Sequence, residues 1–298
     1  NMNVKSHLQF YLENKISPVG QKFKKKNHFQ RRESLYNYLG LTKEYFKNKI
    51  VLEVGPAEGH NSTYIASLNP KELNLLEPNP FAYRNIRKVF KKINVSNRKI
   101  KIITSTLEKF KTKKKYDIVI CEAWLGISSH ERKLMVKLSK FVKKGGLLVV
   151  TAASPIGYFS NIIRRYLAYE ISKNTENFEK KTKILVKAFA PHLKTMKNMS
   201  CPFDHWVQDS LIGSGFLSMH PTPKMIFNDL GKKFDFYNSY PTFNSDWRWY
   251  KDLYGSKKEI KYNFLKNYYK QCHNFFDYRN VYKSINPRFN IKLENEVK

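Results

Sequence analysis

The run Ile50-Val-Leu-Glu-Val-Gly-Pro-Ala-Glu-Gly59 constrains this chain more than any other stretch. Apolar Ile50 to Leu52 lead into Glu53, then Gly55 and Gly59, and then a segment of helical character. A parallel strand buried on both faces reads as such a short apolar run. Glycines at its carboxyl end let the backbone turn sharply and approach a ligand with no Cβ in the way. The next strand-like run, Glu72 to Glu77, also ends in a carboxylate and is followed by Pro78-Asn79-Pro80. Glu53 and Glu77 lie 24 residues apart, close to the spacing of about 20 at which a second-strand acid reaches a ribose across a βαβ unit. Two such strands around a glycine turn suit a ligand with vicinal hydroxyls.

Five strand-like runs, 50–54, 73–77, 100–104, 117–121 and 147–151, alternate with helix-length segments. Alternation of this kind predicts an α/β fold: a doubly wound, mostly parallel sheet with helices on both faces. Over about residues 48 to 153 the chain resembles the Rossmann-like (class I) S-adenosylmethionine-dependent methyltransferases. Their first motif is an acid, a glycine two residues on and another four further along, matched by Glu53, Gly55 and Gly59, with Ala57 where a middle glycine is common. The dinucleotide fingerprint G-x-G-x-x-G fits worse, because Ala57 and His60 occupy its second and third glycine positions. The resemblance implies a methyl-transferring enzyme with S-adenosyl-L-methionine as cofactor. It implies that Glu53, Gly55, Pro56 and Gly59 run along the methionine portion and that Glu77 and Pro78 meet the ribose. Ser105 and Thr106 stand where the family usually places an acid or small polar residue at the adenine, and Glu122 ends the fourth strand.

The chain has 298 residues, enough for a full core, and its apolar and aromatic content excludes wholesale disorder. No apolar run is long enough to span a membrane, and the first residues have no signal-peptide core. Asn1 before Met2 reads as a residue left from a cleaved tag. Cys121, Cys201 and Cys272 form no zinc-type pair, and no His/Asp/Glu grouping has metal-ligand spacing. Free thiols point to a reducing cytoplasm. The net charge of +31 comes from 44 lysines and only eleven arginines, the lysines being spread over loop tips and polar helix faces. Arginine is the residue that reads phosphates and bases bidentately. The charge therefore reads first as compositional bias, with a polyanion partner as the alternative.

The chain divides into an N-terminal helical extension (1–47), a cofactor-binding half (48–153), a helical insertion after the fifth strand (154–220), and the end of the sheet with an aromatic tail (221–298). Gln30 to Leu39 has helical apolar spacing, and the insertion shows two helices, around 162–171 and 178–189, the second broken at Pro191-His192. Phe234 to Tyr240 reads as a sixth strand, with no clear seventh. Methyl transfer requires alignment of nucleophile and methyl carbon, exclusion of water and removal of a proton where the nucleophile holds one. Glu122 and His205 are the catalytic candidates. Glu122 either meets the methionine portion, acts on the acceptor, or is a loop carboxylate. His205, beside Asp204 and Asp209, is either a base or a half-buried helix residue. Trp124, Tyr158, His205, Trp206, Trp247 and Arg248 are the candidate acceptor-binding residues. Trp247 and Trp249 fall on one face if the segment is extended, caging an ammonium group or covering a sheet edge. The acceptor expected is a small or medium-sized metabolite. The alternatives are an RNA methyltransferase, or an inactive basic module that binds nucleic acid or a partner. The aromatic tail packs on the domain or forms a homodimer.

Overall fold

The computed structural model describes residues 7–17, 20, 24–93, 99–196, 199–213, 219–253 and 255–297. The reading of Asn1 and Met2 as a tag junction lies outside them. Three helices lead in: α1 (His7–Glu13), α2 (Lys25–Tyr38) and α3 (Lys43–Phe46). Then β1 (Ile50–Val54), α4 (His60–Ser67), β2 (Glu72–Leu76), α5 (Pro80–Lys92), β3 (Ile100–Ile103), β4 (Tyr116–Cys121), α6 (Ser129–Ser139) and β5 (Val142–Val150) follow in turn. All five strands are parallel, in the order β3-β2-β1-β4-β5.

Side chains alternate across a strand, so each central strand feeds two cores. Val51, Leu73, Leu75, Ile118 and Ile120 pack with Tyr64 and Ile65 of α4, Ile86 and Phe90 of α5, and Tyr36 and Phe46 of α2 and α3. Leu52, Val54, Leu76, Val119 and Cys121 pack against Leu134, Met135 and Leu138 of α6. The doubly wound arrangement follows. Carried one step further, the period of two sends Glu53, Glu77 and Glu122 toward the same side of the sheet, that of α2, α4 and α5.

Beyond β5 the chain is helical: α7 (Pro155–Ser172), α8 (Phe178–Lys194), α9 (Phe203–Val207) running into a π-helical turn at 208–212, α10 (Pro223–Leu230), α11 (Lys257–Gln271) and α12 (Pro287–Val297). The insertion has its own apolar centre around Ala168, Leu185, Phe189, Val207 and Leu211. The C-terminal segment has another, around Ile156, Phe243, Phe264 and Tyr268.

Three expectations need correction. Phe234 to Tyr240 is not a strand: Phe234 and Phe236 drop into two different cores, while the Tyr237 hydroxyl donates to the Gly40 carbonyl and Asn238 Nδ2 to that of Tyr38. Side-chain tethers to the end of α2 replace a ladder to β5. Pro191 does not break α8, which runs on to Lys194; near the carboxyl end the missing N–H costs one bond of a helix about to stop. The fifth strand, expected at 147–151, begins at Val142 and takes in Gly145 and Gly146, and its register against β4 shifts between Tyr116 and Ile118, the mark of a bulge. The aromatic tail is only partly buried: Tyr268 is enclosed, whereas Tyr278, Val281 and Tyr282 are exposed.

Candidate functional site

The turn after β1 is left-handed at Gly55, Ala57 and Gly59, with φ of 70°, 51° and 77°. Gly59 caps α4, and a Cβ there would come within 3.1 Å of Ile86. Its lack of a side chain is thus needed twice over, for the backbone angle and for the close approach of α5. The indole of Trp124 lies along Gly55, so the loop after β4 closes one side of the turn.

Glu53 is 4% exposed. Burial pushes its carboxyl up to about 7; the Ser62 hydroxyl opposes this and the Glu122 charge adds to it. Its Oε2 has no hydrogen-bond partner among the described residues. Glu77, equally enclosed, is also raised to about 7 by burial, against the pull of the Asn79 and Ala57 N–H groups. The Asn79 N–H donates to Glu77 Oε1 at 2.9 Å. Ser105 and Thr106 follow β3 beside Glu77, whose N–H donates to the Ile103 carbonyl at 3.0 Å; both are half-buried. Pro56 is buried within the turn and Pro78 half-buried after β2.

Glu122 carries a partner that spacing did not reveal. Arg32 of α2 reaches it side-on, Nη1 to Oε2 at 2.9 Å and Nη2 to Oε1 at 2.5 Å. The guanidinium also donates to the Tyr36 hydroxyl, at 2.9 Å, and lies over that ring. Arg32 and Tyr36 are one helical turn apart, and this i, i+4 pair was the only trace of the contact in the sequence.

A strap from the N-terminus crosses the same mouth. The Tyr11 hydroxyl donates to Asp209 in the turn after α9, Asn79 Nδ2 donates to the Ile16 carbonyl at 3.0 Å, and the Gly20 N–H donates to His205 Nδ1 at 2.8 Å. A Cβ at Gly20 would overlap the imidazole. His205 is therefore brought to the mouth, with its acceptor nitrogen occupied by the strap. Asp204 is exposed, and burial raises the Asp209 carboxyl.

Two cavities of about 630 Å³ each lie beside β5 or beyond its carboxyl end. One runs along the free edge of β5 from Glu122, under Leu35, Leu39 and Phe234–Pro241. The other lies between α7 and α8, with Ile127 and Pro155 at the sheet end. Tyr158 lines both. Trp206 packs into the centre of the insertion instead. Trp247 and Arg248 line neither cavity: the segment is a loop, Trp247 is 97% exposed, and Arg248 is paired with Asp246 at 2.7 Å and Glu259 at 3.2 Å. The notion of an extended Trp247/Trp249 face fails because these ion pairs curl the chain.

His60 is buried beside Glu58, at 3.4 Å, and His130 is exposed beside Glu108, at 3.2 Å. Among the described residues no group of His, Cys, Asp or Glu could hold a metal ion, all three cysteines are free, and no helix is long and apolar enough to cross a membrane.

No family profile matches the chain. A protein arginine N-methyltransferase 6 of Danio rerio is 30% identical over 111 residues, which are 36% of this chain and 31% of that protein. The chain thus aligns with about a third of the curated relative. Among solved structures, a methyltransferase from Streptomyces caelestis matches at 18% identity and a TM-score of 0.36, covering 42% of this chain and 50% of the other. An N-methyltransferase from Bradyrhizobium japonicum, in complex with S-adenosyl-L-homocysteine, matches at 20% identity and 0.34, covering 42% and 60%. The all-parallel order 3-2-1-4-5, the acid–glycine turn after β1 and the second acid after β2 make residues 50–150 of this chain a class I S-adenosylmethionine-dependent methyltransferase fold.

Proposed function

We propose that this chain is an S-adenosylmethionine-dependent methyltransferase acting on a small or medium-sized metabolite. The observation that carries this reading is the pair of enclosed carboxyls, Glu53 and Glu77, both raised to about 7 on either side of a left-handed turn, one with an oxygen that has no partner among the described residues. A buried carboxylate short of donors is costly, and a ligand bringing hydroxyls and a cation would supply more. Glu77 and Pro78 would hold the ribose, Ser105 and Thr106 the adenine, and Glu53, Gly55, Pro56, Gly59 and Glu122 the methionine portion. When bound, the cofactor supplies an electrophilic methyl group on a positive sulfur.

The chain's own residues do the rest. The N-terminal strap and Trp124 exclude water, which a weak nucleophile requires. Tyr158 walls the acceptor space. Of the two catalytic candidates, Glu122 shares the sheet face of Glu53 and is held rigidly by Arg32. His205 can accept a proton at Nδ1 only after releasing the Gly20 N–H. The direct check is calorimetric titration with S-adenosylhomocysteine. Wild-type protein should bind, and Glu77→Ala should weaken binding about ten- to a hundredfold, as expected for the loss of charged hydrogen bonds of about 1.5–3 kcal/mol. No binding, or equal binding by the variant, would overturn the reading.

A second reading rests on Glu122, which already clasps a guanidinium. An acceptor arginine, as in the name of the Danio rerio relative, would be held in the same way once Arg32 released those two oxygens. Methyl transfer to an arginine-bearing peptide, absent with its lysine counterpart, would select it. A steep dependence of RNA affinity on salt would instead select a nucleic-acid acceptor or a non-catalytic module.

A further inference from the structure

The cavity between α7 and α8 has a charge pattern that its apolar lining does not require. Its walls include Tyr158, Ile162, Tyr166 and Tyr169, of which the last two are largely exposed and offer ring faces to a flat apolar body. Two cations, Arg165 and Lys181, stand among them. Arg165 Nη2 donates to the Gly213 carbonyl at 2.7 Å, while its Nη1 is buried with no hydrogen-bond partner among the described residues. Lys181 forms no ion pair among the described residues. Tyr158 and Asp209 both act on Arg165 electrostatically, but Asp209 is engaged by the Tyr11 hydroxyl and makes no ion pair with Arg165 among the described residues.

Two other arginines are committed elsewhere. Arg164 donates to His192 at 3.1 Å and Ser160 at 3.2 Å, and Arg248 is bound by two carboxylates outside the cavity. Arg165 feels Asp209 through space without a direct ion pair, and Lys181 has none among the described residues, so two cations line this mostly apolar cavity. Guanidinium pairs with carboxylate or phosphate in a planar, charge-assisted geometry.

We infer that this cavity binds an aromatic or otherwise flat molecule carrying a carboxylate, with Arg165 and Lys181 holding the acid group and Tyr158, Tyr166 and Tyr169 the ring. This assignment rests on the methyltransferase reading for its role, since Tyr158 and Ile127 place the cavity at the carboxyl ends of β5 and β4; the acid-bearing ring is then the methyl acceptor.

Three isosteric probes test it: 2-naphthoate, 2-naphthamide and 2-naphthylmethylammonium, titrated calorimetrically into the full chain in the presence of S-adenosylhomocysteine. The carboxylate should bind about tenfold or more tightly than the amide, in keeping with a charged hydrogen bond, and the ammonium least. Arg165→Gln and Lys181→Gln should each bring the ratio toward one, whereas Lys88→Gln, on the exposed side of α5, should leave it unchanged. Equal affinity for the three probes, a ratio untouched by either cavity variant, or the same loss in Lys88→Gln would overturn the inference. Lys181→Gln serves as the second variant where Arg165→Gln fails to fold. S-adenosylhomocysteine binding, measured alone, separates the two readings. Its absence with the carboxylate preference intact overturns the methyltransferase reading and supports the anion site; its presence without that preference does the reverse.

Discussion

Glu53 and Glu77 hold protons that the unfolded chain releases between about 4.5 and about 7. Stability therefore falls as pH rises across that interval: the contribution is complete below the unfolded value and lost as pH passes the folded one. His28 acts in the opposite sense. Burial, aided by the Arg32 and His60 charges, lowers it to about 4, so its contribution is present above 6.5 and lost as pH falls through about 4. Two acids against one histidine leave a net decline between about pH 4.5 and about 7. Glu77→Gln should flatten that decline by at most roughly 3 kcal/mol, the ceiling for a shift of this size. Thermal denaturation at fixed ionic strength reads it, and parallel profiles for wild type and variant would refute the assignment. A ligand that favours ionised Glu77 should also bind more tightly as pH rises over the same window. The two acids were legible because each ends a strand. Arg32 was not, because its partner lies 90 residues away and only the packing of α2 on the sheet joins them.

At the level of elements, the N-terminal strap is what closes the mouth. Tyr11 bridges α1 to Asp209, and Phe10 contacts Phe178 with ring centroids 6.0 Å apart, so the extension is fastened to the insertion as well as to the sheet. Tyr11→Phe would leave the Asp209 carboxyl without its donor, at a cost of about 1–3 kcal/mol. Because segments open locally with their own free energies, amide exchange over residues 7–17 should quicken by about ten- to a hundredfold, while the β1 and β4 amides stay protected. Dissociation of S-adenosylhomocysteine should accelerate in parallel. Unchanged exchange over 7–17 would show that the strap is held by other contacts. Helix existence in this region followed from apolar spacing, but the fastening did not. The Phe234–Tyr240 run shows the converse error, since its alternation is that of a strand and yet its side chains found tertiary partners.

Across the whole molecule, +31 is a large self-repulsion for one chain. Net charge far from zero destabilises a compact state, and salt relieves it. Raising ionic strength from about 0.01 M to about 0.15 M shortens the screening length from about 30 Å to about 8 Å. The melting temperature should climb over that range, by roughly 2–4 °C for each kcal/mol recovered. A flat response in differential scanning calorimetry would mean that the lysines are locally balanced.

The sequence by itself determined the parallel sheet, the order of its strand ends, the acid–glycine turn and the second acid. Each is a local pattern, with an alternation period, a left-handed angle and a fixed spacing, that needs no distant partner to be read. Only the tertiary structure decided which arginine meets Glu122, that the acceptor nitrogen of His205 is taken by Gly20, that Trp247 faces solvent, and that one Arg165 N–H finds no partner among the described residues. Those outcomes depend on loop paths and on how separate helical layers dock. Contacts between residues tens to hundreds of positions apart leave no periodic trace along the chain.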